Sequence, residues 1–225
     1  MQRSRTSERS VKRLVLVDDH PIMRHGLAQL IRAEDGLEVI GEAGSAREGL
    51  EVVGRLKPDL VVIDLTLPDK NGLELVKDIR AAHPATLCLV LSMHDEALYG
   101  ERALRAGARG YVMKEAAADH LVTAIHKVIG GGLYVSATLN DRMLEQVSGA
   151  ARSKATGMDS LTDRELEILE LVGKGVATKN IAAQLSISAR TVEAHRAHIK
   201  EKLGITDGAA LVRYAVQWVE SSAKM

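Results

Sequence analysis

Short runs of consecutive apolar residues, separated by longer segments of helical periodicity, constrain the fold of the first half of this chain more than any other feature. Four of these runs cover residues 14–17, 60–63, 87–91 and 110–113, and a less apolar fifth run covers Leu37–Ala43. A strand that is apolar at successive positions is buried on both faces, as in a parallel sheet covered by helices. With a last helix expected from about residue 116 to 129, the pattern predicts a doubly wound α/β domain of five β-α repeats.

The second half of the chain has a different pattern. Residues 133–157 follow three glycines, are small and polar, and are only weakly helical, so we interpret them as a linker. Beyond them the sequence predicts short helices, and segments near residues 180–185 and 189–203 have the spacing of a helix-turn-helix. We therefore expect a first domain over residues 11–132 and a second, all-α helix-turn-helix domain over residues 158–225.

Composition excludes several classes of protein. The chain has 225 residues, 30 Lys plus Arg against 30 Asp plus Glu, and one cysteine, Cys88, which excludes an internal disulfide framework. No apolar run is long enough to span a bilayer, and the Arg/Ser-rich start has no apolar core typical of a signal peptide. We expect a cytoplasmic protein with no membrane partner. The zero net charge argues against a uniformly basic nucleic-acid-binding surface but leaves room for local basic patches.

Polar side chains directly follow four of the predicted strands. Because the carboxyl ends of parallel strands lie along one edge of a sheet, these side chains are expected to meet in one pocket. They are three carboxylates, a hydroxyl and an ammonium, from Asp18, Asp19, Asp64, Ser92 and Lys114. Taken singly, each residue is explained as readily by turn or helix-cap chemistry. Their shared position at the strand ends favours a functional site.

The chemistry of such a pocket points to a metal ion and a phosphoryl group. Three neighbouring carboxylates repel one another unless a cation neutralises them, and oxygen ligands of this kind suit Mg²⁺. An aspartate beside Mg²⁺ and a lysine can act as a nucleophile toward phosphorus, which predicts an aspartyl phosphate. The histidines at positions 20, 25 and 83 have no ligand-like spacing, and no metal is assigned to them.

The longer helix of the predicted helix-turn-helix has two distinct faces. Val192, Ile199 and Leu203 fall on one face, and Glu193 and Ala197 fall on the opposite face. Between Lys174 and Lys202 there are six basic residues and two acidic ones. This excess of positive charge fits DNA binding, but a helical bundle that binds protein and carries a solvated basic face remains an alternative.

The first domain resembles the receiver domain of bacterial response regulators. The resemblance is carried by Val17-Asp18-Asp19-His20, by Asp64 with the turn at residues 68–72, by Ser92, and by the segment Ala106-Gly107-Ala108-Arg109-Gly110-Tyr111-Val112-Met113-Lys114. It covers residues from about 11 to 132 and implies a flavodoxin-like (βα)5 receiver. The hydroxyl residue is Ser92, where threonine is the other usual choice, and Leu67-Pro68-Asp69 replaces a common Met-Pro.

The resemblance also implies a role for each pocket residue. Asp64 would accept the phosphoryl group from a sensor histidine kinase, and Lys114 would bind a phosphoryl oxygen. Ser92 and Tyr111 would form a switch pair, in which movement of Ser92 toward the phosphoryl group opens space for Tyr111. Thr66 and His94 would influence how fast water removes the group. The Mg²⁺ ligands would be Asp19, Asp64, the backbone carbonyl of Thr66 and, through a water molecule, Asp18.

The second domain resembles the LuxR-type helix-turn-helix, and with the receiver it points to the NarL/FixJ group of response regulators. The motif residues are Leu161-Thr162-x-Arg164-Glu165, Asn180-Ile181-Ala182, Thr191-Val192-Glu193-Ala194-His195 and Lys202-Leu203-Gly204. The implied partners are double-stranded DNA, a second copy of the chain after phosphorylation and, as a candidate, RNA polymerase. The residues expected to contact DNA are Lys179, Arg190, Thr191, Glu193, Ala194, Arg196, Ala197 and Lys200.

Within that set, basic side chains are expected on DNA phosphates, whereas Glu193, Ala194 and Ala197 are candidates for base edges. Glu193 departs from the family pattern, in which matching positions often carry basic residues. Two alternatives compete with a phosphorylation-controlled regulator. A phosphatase of the haloacid dehalogenase type is disfavoured because Thr66 stands where a general acid is needed, so we expect no enzyme beyond the receiver's own phosphorylation and dephosphorylation. The other is a DNA binder that uses the receiver only as a scaffold.

Overall fold

The first domain is a five-stranded parallel sheet with helices on both faces. The computed structural model describes residues 11–147 and 157–222. The strand order is β2-β1-β3-β4-β5, which is the doubly wound arrangement expected from the sequence. The strands are β1 Lys12–Val17, β2 Leu37–Ala43, β3 Leu60–Asp64, β4 Leu87–Ser92 and β5 Tyr111–Met113, and the helices are α1 Pro21–Arg32, α2 Ala46–Leu56, α3 Gly72–Ala82, α4 Glu96–Ala106 and α5 Ala117–Ile129.

The continuous apolar runs have the predicted consequence for burial. Alternate residues of β1, β3 and β4 enter two separate apolar cores, one on each side of the sheet. Val15 and Val17 face one core, and Leu14 and Leu16 face the other. Each of these side chains is at most 1% exposed. Burial on both faces fixes β1 in the interior of the sheet, and with it the position of the two aspartates that follow this strand.

Gly72 holds the end of β3 against the start of α3. Its N–H donates to the carbonyl of Leu65 at 2.7 Å, and a Cβ at this position would lie 2.1 Å from the carbonyl oxygen of Asp64. Only a residue without a side chain allows this close approach. The turn after β3 therefore fixes the backbone on which the Asp64 carboxylate is mounted.

Part of the predicted linker is ordered against the receiver. Tyr134 exchanges backbone hydrogen bonds with Arg109 and Tyr111 at 3.0 and 2.8 Å, beside β5. The helix α6, Ala137–Val147, follows, and its Leu139 is 4% exposed. A Cβ on Gly100 of α4 would lie 2.5 Å from Leu139 Cδ2, so the absent side chain makes room for this leucine. The weak helical periodicity of this segment did not predict the packing of α6 against α4. The other predicted linker residues, 148–156, lie outside the described residues.

The second domain is helical throughout its described part and contains the expected helix-turn-helix. Thr162 and Glu165 form the reciprocal capping box at the start of α7. Val192 and Ile199, on the apolar face of α9, are fully buried. The helices are α7 Asp163–Gly173, α8 Thr178–Gln184, α9 Ala189–Leu203 and α10 Gly208–Ser222, preceded by a 3-10 turn at Gly157–Ser160. Among the residues described, no helix combines the length and the hydropathy of a membrane span.

The start of α7 and the turn before it lie against the receiver. Arg102 of α4 donates to the carbonyl oxygens of Met158 and Leu161 at 2.7 and 2.9 Å, and its guanidinium lies 3.2 Å from Asp163. Leu166 belongs to the same apolar cluster as the receiver core, and Trp218 of α10 packs at the edge of this cluster. The two domains therefore share an interface with both polar and apolar contacts.

Candidate functional site

The carboxyl edge of the sheet brings together an aspartate pair and a lysine, as the strand-end pattern predicts. Lys114 Nζ lies 2.7 Å from Asp64 Oδ2 and 2.6 Å from Asp18 Oδ2. The side chains of all three residues are at most 4% exposed. A single buried ammonium thus contacts two buried carboxylates, and one negative charge is left uncompensated when both are ionised.

Burial and neighbouring charges shift the pKa values of Asp64 and Lys114 in opposite directions. Burial raises the pKa of Asp64 to about 6, against the lowering effect of Lys114. Burial alone would lower the pKa of Lys114, but the charges and hydrogen bonds of Asp64 and Asp18 outweigh it and raise that pKa. The pocket therefore holds a permanent cation next to a carboxylate that titrates close to neutral pH.

The donor set of the pocket fits a hard divalent cation. Carboxylate oxygens of Asp18, Asp19 and Asp64 and a nitrogen of His20 lie within 4.8 Å of one another. Asp18 Oδ2 and Asp19 Oδ1 are buried without a well-oriented hydrogen bond among the residues described, although each lies close to a cation or an imidazole. Oxygen donors of this kind suit Mg²⁺. These residues therefore fit the ion that the sequence predicts.

His20 and Thr66 complete the near side of the pocket. His20 Nδ1 lies 2.6 Å from Asp19 Oδ1, a contact that the spacing of the histidines did not predict. The N–H of Thr66 donates to Asp64 Oδ1 at 3.3 Å. Thr66 lines the same cavity as Asp19, Asp64 and Lys114, so its backbone is at the pocket.

The two residues expected to form a switch pair meet at His94. Ser92 is fully buried, and its Oγ accepts a hydrogen bond from the N–H of His94 at 3.1 Å. The hydroxyl of Tyr111 donates to the carbonyl of His94 at 2.7 Å, and the residue is 2% exposed. A movement of Tyr111 that follows movement of Ser92 stays a prediction. In this structure the Tyr111 ring is buried and its hydroxyl contacts the His94 backbone.

Two acidic residues of the second domain also reach the pocket, although no pattern in the sequence predicted either of them. Thr66 Oγ1 lies 3.4 Å from Glu167 Oε1, and His94 Nδ1 lies 2.9 Å from Glu170 Oε2. Both glutamates lie on α7 and are at most 2% exposed. Buried carboxylates are rare in proteins unless they are paired. The sequence does not show that these two glutamates are buried, so it gives no signal that distinguishes them from surface residues.

Seven of the eight candidate DNA-contacting residues lie on α9, and Lys179 lies on α8. Val192 and Ile199 turn into the core, and the opposite side of α9 faces solvent, as predicted from periodicity. The exposed members of the candidate set are Lys179, Arg190, Thr191, Glu193, Ala194 and Ala197, and the half-buried members are Arg196 and Lys200. The structure thus presents cations and small side chains together on an open helix face.

Glu193 is partly engaged within this surface. Its Oε1 accepts from Thr178 Oγ1 at 2.8 Å and lies 3.3 Å from the guanidinium of Arg196, which itself donates to Thr178 at 2.9 Å. The three side chains connect α8 to α9. Glu193 therefore helps to fix the orientation of Arg196 as well as facing solvent.

Comparison with protein families identifies both domains. The family of response regulator receiver domains matches residues 14–126, and the luxR family of bacterial regulatory proteins matches residues 159–215. The first match contains the acidic pocket, and the second contains the whole helix-turn-helix.

Several proteins are similar to this chain along nearly their full length. The transcriptional regulatory protein MctR of Rhizobium johnstonii is 38% identical over 93% of this chain and 95% of its own. The transcriptional regulatory protein UhpA of Escherichia coli is 38% identical over 89% of this chain and 95% of its own. The oxygen regulatory protein NreC of Staphylococcus aureus is 36% identical over 91% of this chain and 97% of its own.

Solved structures that are similar to this chain are also response regulators. A LuxR-family two-component response regulator from Aurantimonas sp. SI85-9A1 is 37% identical, with a TM-score of 0.57 over 62% of this chain and 99% of that chain. RcsB from Salmonella enterica serovar Typhimurium, bound to promoter P1flhDC in the presence of the phosphomimetic BeF3⁻, is 25% identical, with a TM-score of 0.60 over 92% of this chain and 98% of that chain. This chain therefore belongs to the NarL/FixJ family of two-component response regulators, transcription regulators that join a receiver to a LuxR-type DNA-binding domain.

Proposed function

We propose that Asp64 accepts a phosphoryl group from a sensor histidine kinase, and that this phosphorylation controls dimerisation and sequence-specific DNA binding. The observation that carries the proposal is the buried Asp64 carboxylate, held 2.7 Å from the Lys114 ammonium beside the carboxylates of Asp18 and Asp19. No structural role requires this arrangement, because burying several like charges together destabilises a fold.

The transfer step uses groups already present in the pocket. A carboxylate oxygen of Asp64 forms a bond to phosphorus while the bond between phosphorus and the donor's imidazole nitrogen breaks. The electron pair of the broken bond stays on that nitrogen, which takes up a proton. Lys114 faces the transferred oxygens and offsets their charge. The hydroxyl of Ser92 donates a hydrogen bond to one of these oxygens.

The proposed Mg²⁺ ligands are Asp19, Asp64, the backbone carbonyl of Thr66 and, through water, Asp18. When bound, the ion neutralises the carboxylates and the incoming phosphoryl oxygens, so that like charges can approach. Thr66 and His94 flank the path by which water would reach the phosphorus atom. The receiver acts only on itself, by accepting and losing the phosphoryl group, and is not an enzyme with a separate substrate.

The proposed DNA contacts divide by chemistry. Lys179, Arg190, Arg196 and Lys200 contact phosphates, which positions the protein and makes its affinity fall with salt. Thr191 lies beside Arg190 at the first turn of α9. Ala194 and Ala197 allow close approach of the helix to base edges, where an alanine methyl can touch a thymine methyl. Glu193 can accept a hydrogen bond from a cytosine amino group through its Oε2, because Thr178 and Arg196 contact its Oε1.

A symmetric dimer is the proposed DNA-bound form, because one helix-turn-helix covers a single half-site. RcsB is a relative of 25% identity described as two dimers bound to two parallel DNAs, which supports this assembly. The last helix, α10, is the candidate contact between copies in the phosphorylated form. We also propose a cytoplasmic location and RNA polymerase as a further partner.

The first experiment is intact mass spectrometry after incubation with acetyl phosphate, with and without Mg²⁺. We expect one phosphoryl adduct that needs Mg²⁺ and is absent from Asp64→Asn. Phosphorylated wild-type chain should then bind promoter DNA as a dimer more tightly than the untreated chain. A folded wild-type protein that takes up no phosphoryl group would instead support the scaffold alternative.

A further inference from the structure

We propose that Glu165, His195 and His198 form a binding site for Zn²⁺, in which the bound ion joins α7 to α9. The site lies within the second domain and is separate from the acidic pocket around Asp64. The inference does not depend on phosphorylation of the receiver.

The three side chains come together from two helices. Glu165 lies in the first turn of α7, and His195 and His198 both lie on α9, three positions apart. Residues with this spacing are neighbours on the surface of a helix. One ligand atom from each residue lies within 4.8 Å of the other two, and His198 Nδ1 is 4.0 Å from Glu165 Oε1. The three ligand atoms therefore lie around a single position between the helices.

A small movement of one side chain gives the spacing that a zinc ion needs. Nitrogen and oxygen ligands lie about 2.0–2.1 Å from a tetrahedral zinc ion and therefore about 3.4 Å from one another. The His198 side chain is 62% exposed, and among the described residues its one ion-pair contact is with Glu165. This imidazole is free to turn toward an ion, whereas the rest of the site stays in place.

The carboxylate of Glu165 uses its two oxygens differently. Its Oε2 accepts hydrogen bonds from the N–H of Thr162 at 2.8 Å and from Lys202 Nζ at 2.6 Å. Its Oε1 accepts no hydrogen bond within the described part of the chain, although the residue is only 3% exposed. A carboxylate at such a position is stabilised by a cation partner. The contacts to Oε2 fix the side chain and leave Oε1 for a metal ion.

The types of ligand distinguish this site from the acidic pocket. Two imidazoles and one carboxylate suit Zn²⁺, and three protein ligands leave a further position for water. In the pocket, three of the four candidate ligands are carboxylates, the set that Mg²⁺ prefers. Excess Mg²⁺ should therefore fill the pocket and leave the site between α7 and α9 to Zn²⁺.

The neighbouring charges limit the affinity of the site. Lys202 contacts Glu165 on the oxygen that does not face the histidines. Arg164, which precedes Glu165, is paired with Glu167 at 2.8 Å. A bound ion would thus meet one carboxylate with an ammonium close behind it. We expect weaker binding than in closed structural zinc sites, which have four protein ligands.

The bound ion would act on the helix that carries the candidate DNA contacts. Arg196 and Ala197 lie between the two histidines in the sequence. Coordination by both histidines would hold this part of α9 against the start of α7. An ion that binds only the folded domain also stabilises that domain against unfolding.

The test measures Zn²⁺ binding to the full chain by equilibrium dialysis, in excess Mg²⁺ and without a histidine tag. We expect one zinc site per chain, with an affinity that falls at least about 10-fold in His198→Asn and in His195→Asn. Loss of a residue that only orients a metal ligand already costs about this much, so loss of a ligand costs no less.

The matched control is His126→Asn. The His126 imidazole also contacts a carboxylate, that of Glu34 at 3.0 Å, but in the described ranges the pair belongs to no cluster of three ligands. This variant should bind Zn²⁺ with the affinity of the wild type.

Thermal unfolding distinguishes a lost ligand from a damaged fold. Because His198 is mostly exposed, His198→Asn should unfold at the wild-type temperature in EDTA. In excess Mg²⁺, added Zn²⁺ should raise the unfolding temperature of the wild type and of His126→Asn more than that of His198→Asn. His195 is half-buried, so if His195→Asn fails to fold, His198→Asn decides the test.

The outcomes separate this inference from the proposed function. Equal Zn²⁺ affinity in the wild type and His198→Asn would overturn the site, and so would a wild type that binds no Zn²⁺. Binding that depends on His198 but leaves the unfolding temperature unchanged would overturn the link between α7 and α9. Phosphoryl uptake at Asp64 should have the same rate in His198→Asn as in the wild type, so either proposal can fail while the other stands.

Discussion

The acidic pocket of the receiver and the outer face of α9 place their candidate functional residues in opposite environments. The pocket places charged groups in the interior, where Asp64 and Lys114 have fixed partners at 2.7 Å. On α9, Arg190 and Ala194 face solvent. A buried site derives its chemistry from geometry that the whole fold enforces, whereas an exposed one derives its chemistry from which side chains the helix presents.

This contrast implies different responses to mutation. A change in the pocket should alter both reactivity and stability, because the same contacts serve both. A change on the outer face of α9 should alter affinity for DNA and leave the fold almost untouched. Each of the following predictions tests one side of this contrast.

The largest effect is expected for Lys114→Ala. Its removal leaves Asp18 and Asp64 buried without their cation, which should lower the free energy of unfolding by about 3 kcal/mol. Lys114 is proposed to face the phosphoryl oxygens, so loss of its ammonium should slow phosphoryl uptake by about 100-fold. Urea denaturation and intact mass spectrometry measure the two effects.

The matched control for this lysine is Lys70→Ala. Lys70 also pairs with an aspartate, Asp78, but both side chains are about 40% exposed. Removal of this surface pair should change the free energy of unfolding by less than about 1 kcal/mol and leave the uptake rate unchanged. Equal effects of the two lysine substitutions would contradict the contrast between buried and exposed charge.

In the absence of divalent ions, Asp64→Asn should change the free energy of unfolding by no more than Lys114→Ala does. Burial raises the pKa of Asp64 in the folded chain from 3.8 to about 6, so the folded state holds a proton that the unfolded state releases first. The contribution of Asp64 to the free energy of unfolding is therefore complete below pH 3.8 and is lost as the pH rises through about 6. At pH 7.5 in EDTA, Asp64→Asn should be more stable than the wild type by up to about 3 kcal/mol.

This advantage of Asp64→Asn should shrink as the pH falls to 5, and Mg²⁺ should reduce it at pH 7.5 by stabilising the wild type alone. Thermal unfolding of both chains at the two pH values, with and without Mg²⁺, measures these changes. A constant difference between the chains at pH 5 and 7.5 would show that Asp64 is not the titrating group.

The smallest effect is expected on α9. Arg190→Ala should weaken binding to all DNA sequences to a similar extent and reduce the slope of log affinity against log salt by about 1. Its unfolding curve should match that of the wild type. The control is Arg55→Ala, an exposed arginine of α2 in the receiver. A sequence-dependent loss of affinity would move Arg190 from phosphate contact to base contact.

Much of the fold and the pocket could be predicted from the sequence because both follow from short-range patterns. Continuous apolar runs require strands buried on both faces, and residues after those strands must share an edge. Asp18, Asp64 and Lys114 meet as this argument requires. The faces of α9 follow in the same way from the spacing of Val192 and Ile199.

The rest depends on contacts between distant segments that leave no local pattern. Glu167 lies between Leu166 and Ile168 in a helical segment, and its sequence environment resembles that of a surface residue. Only docking against Thr66 and Asn71 buries it. The position of the Tyr111 ring likewise depends on whether its hydroxyl finds the His94 carbonyl, which no periodicity encodes.

The outward orientation of α9 has a consequence for how the protein finds its promoters. With α7 against the receiver, Arg190 and Lys179 remain exposed, and exposed cations release counterions from any DNA that they approach. We therefore expect docked chains to slide along the chromosome at low affinity instead of waiting in free solution.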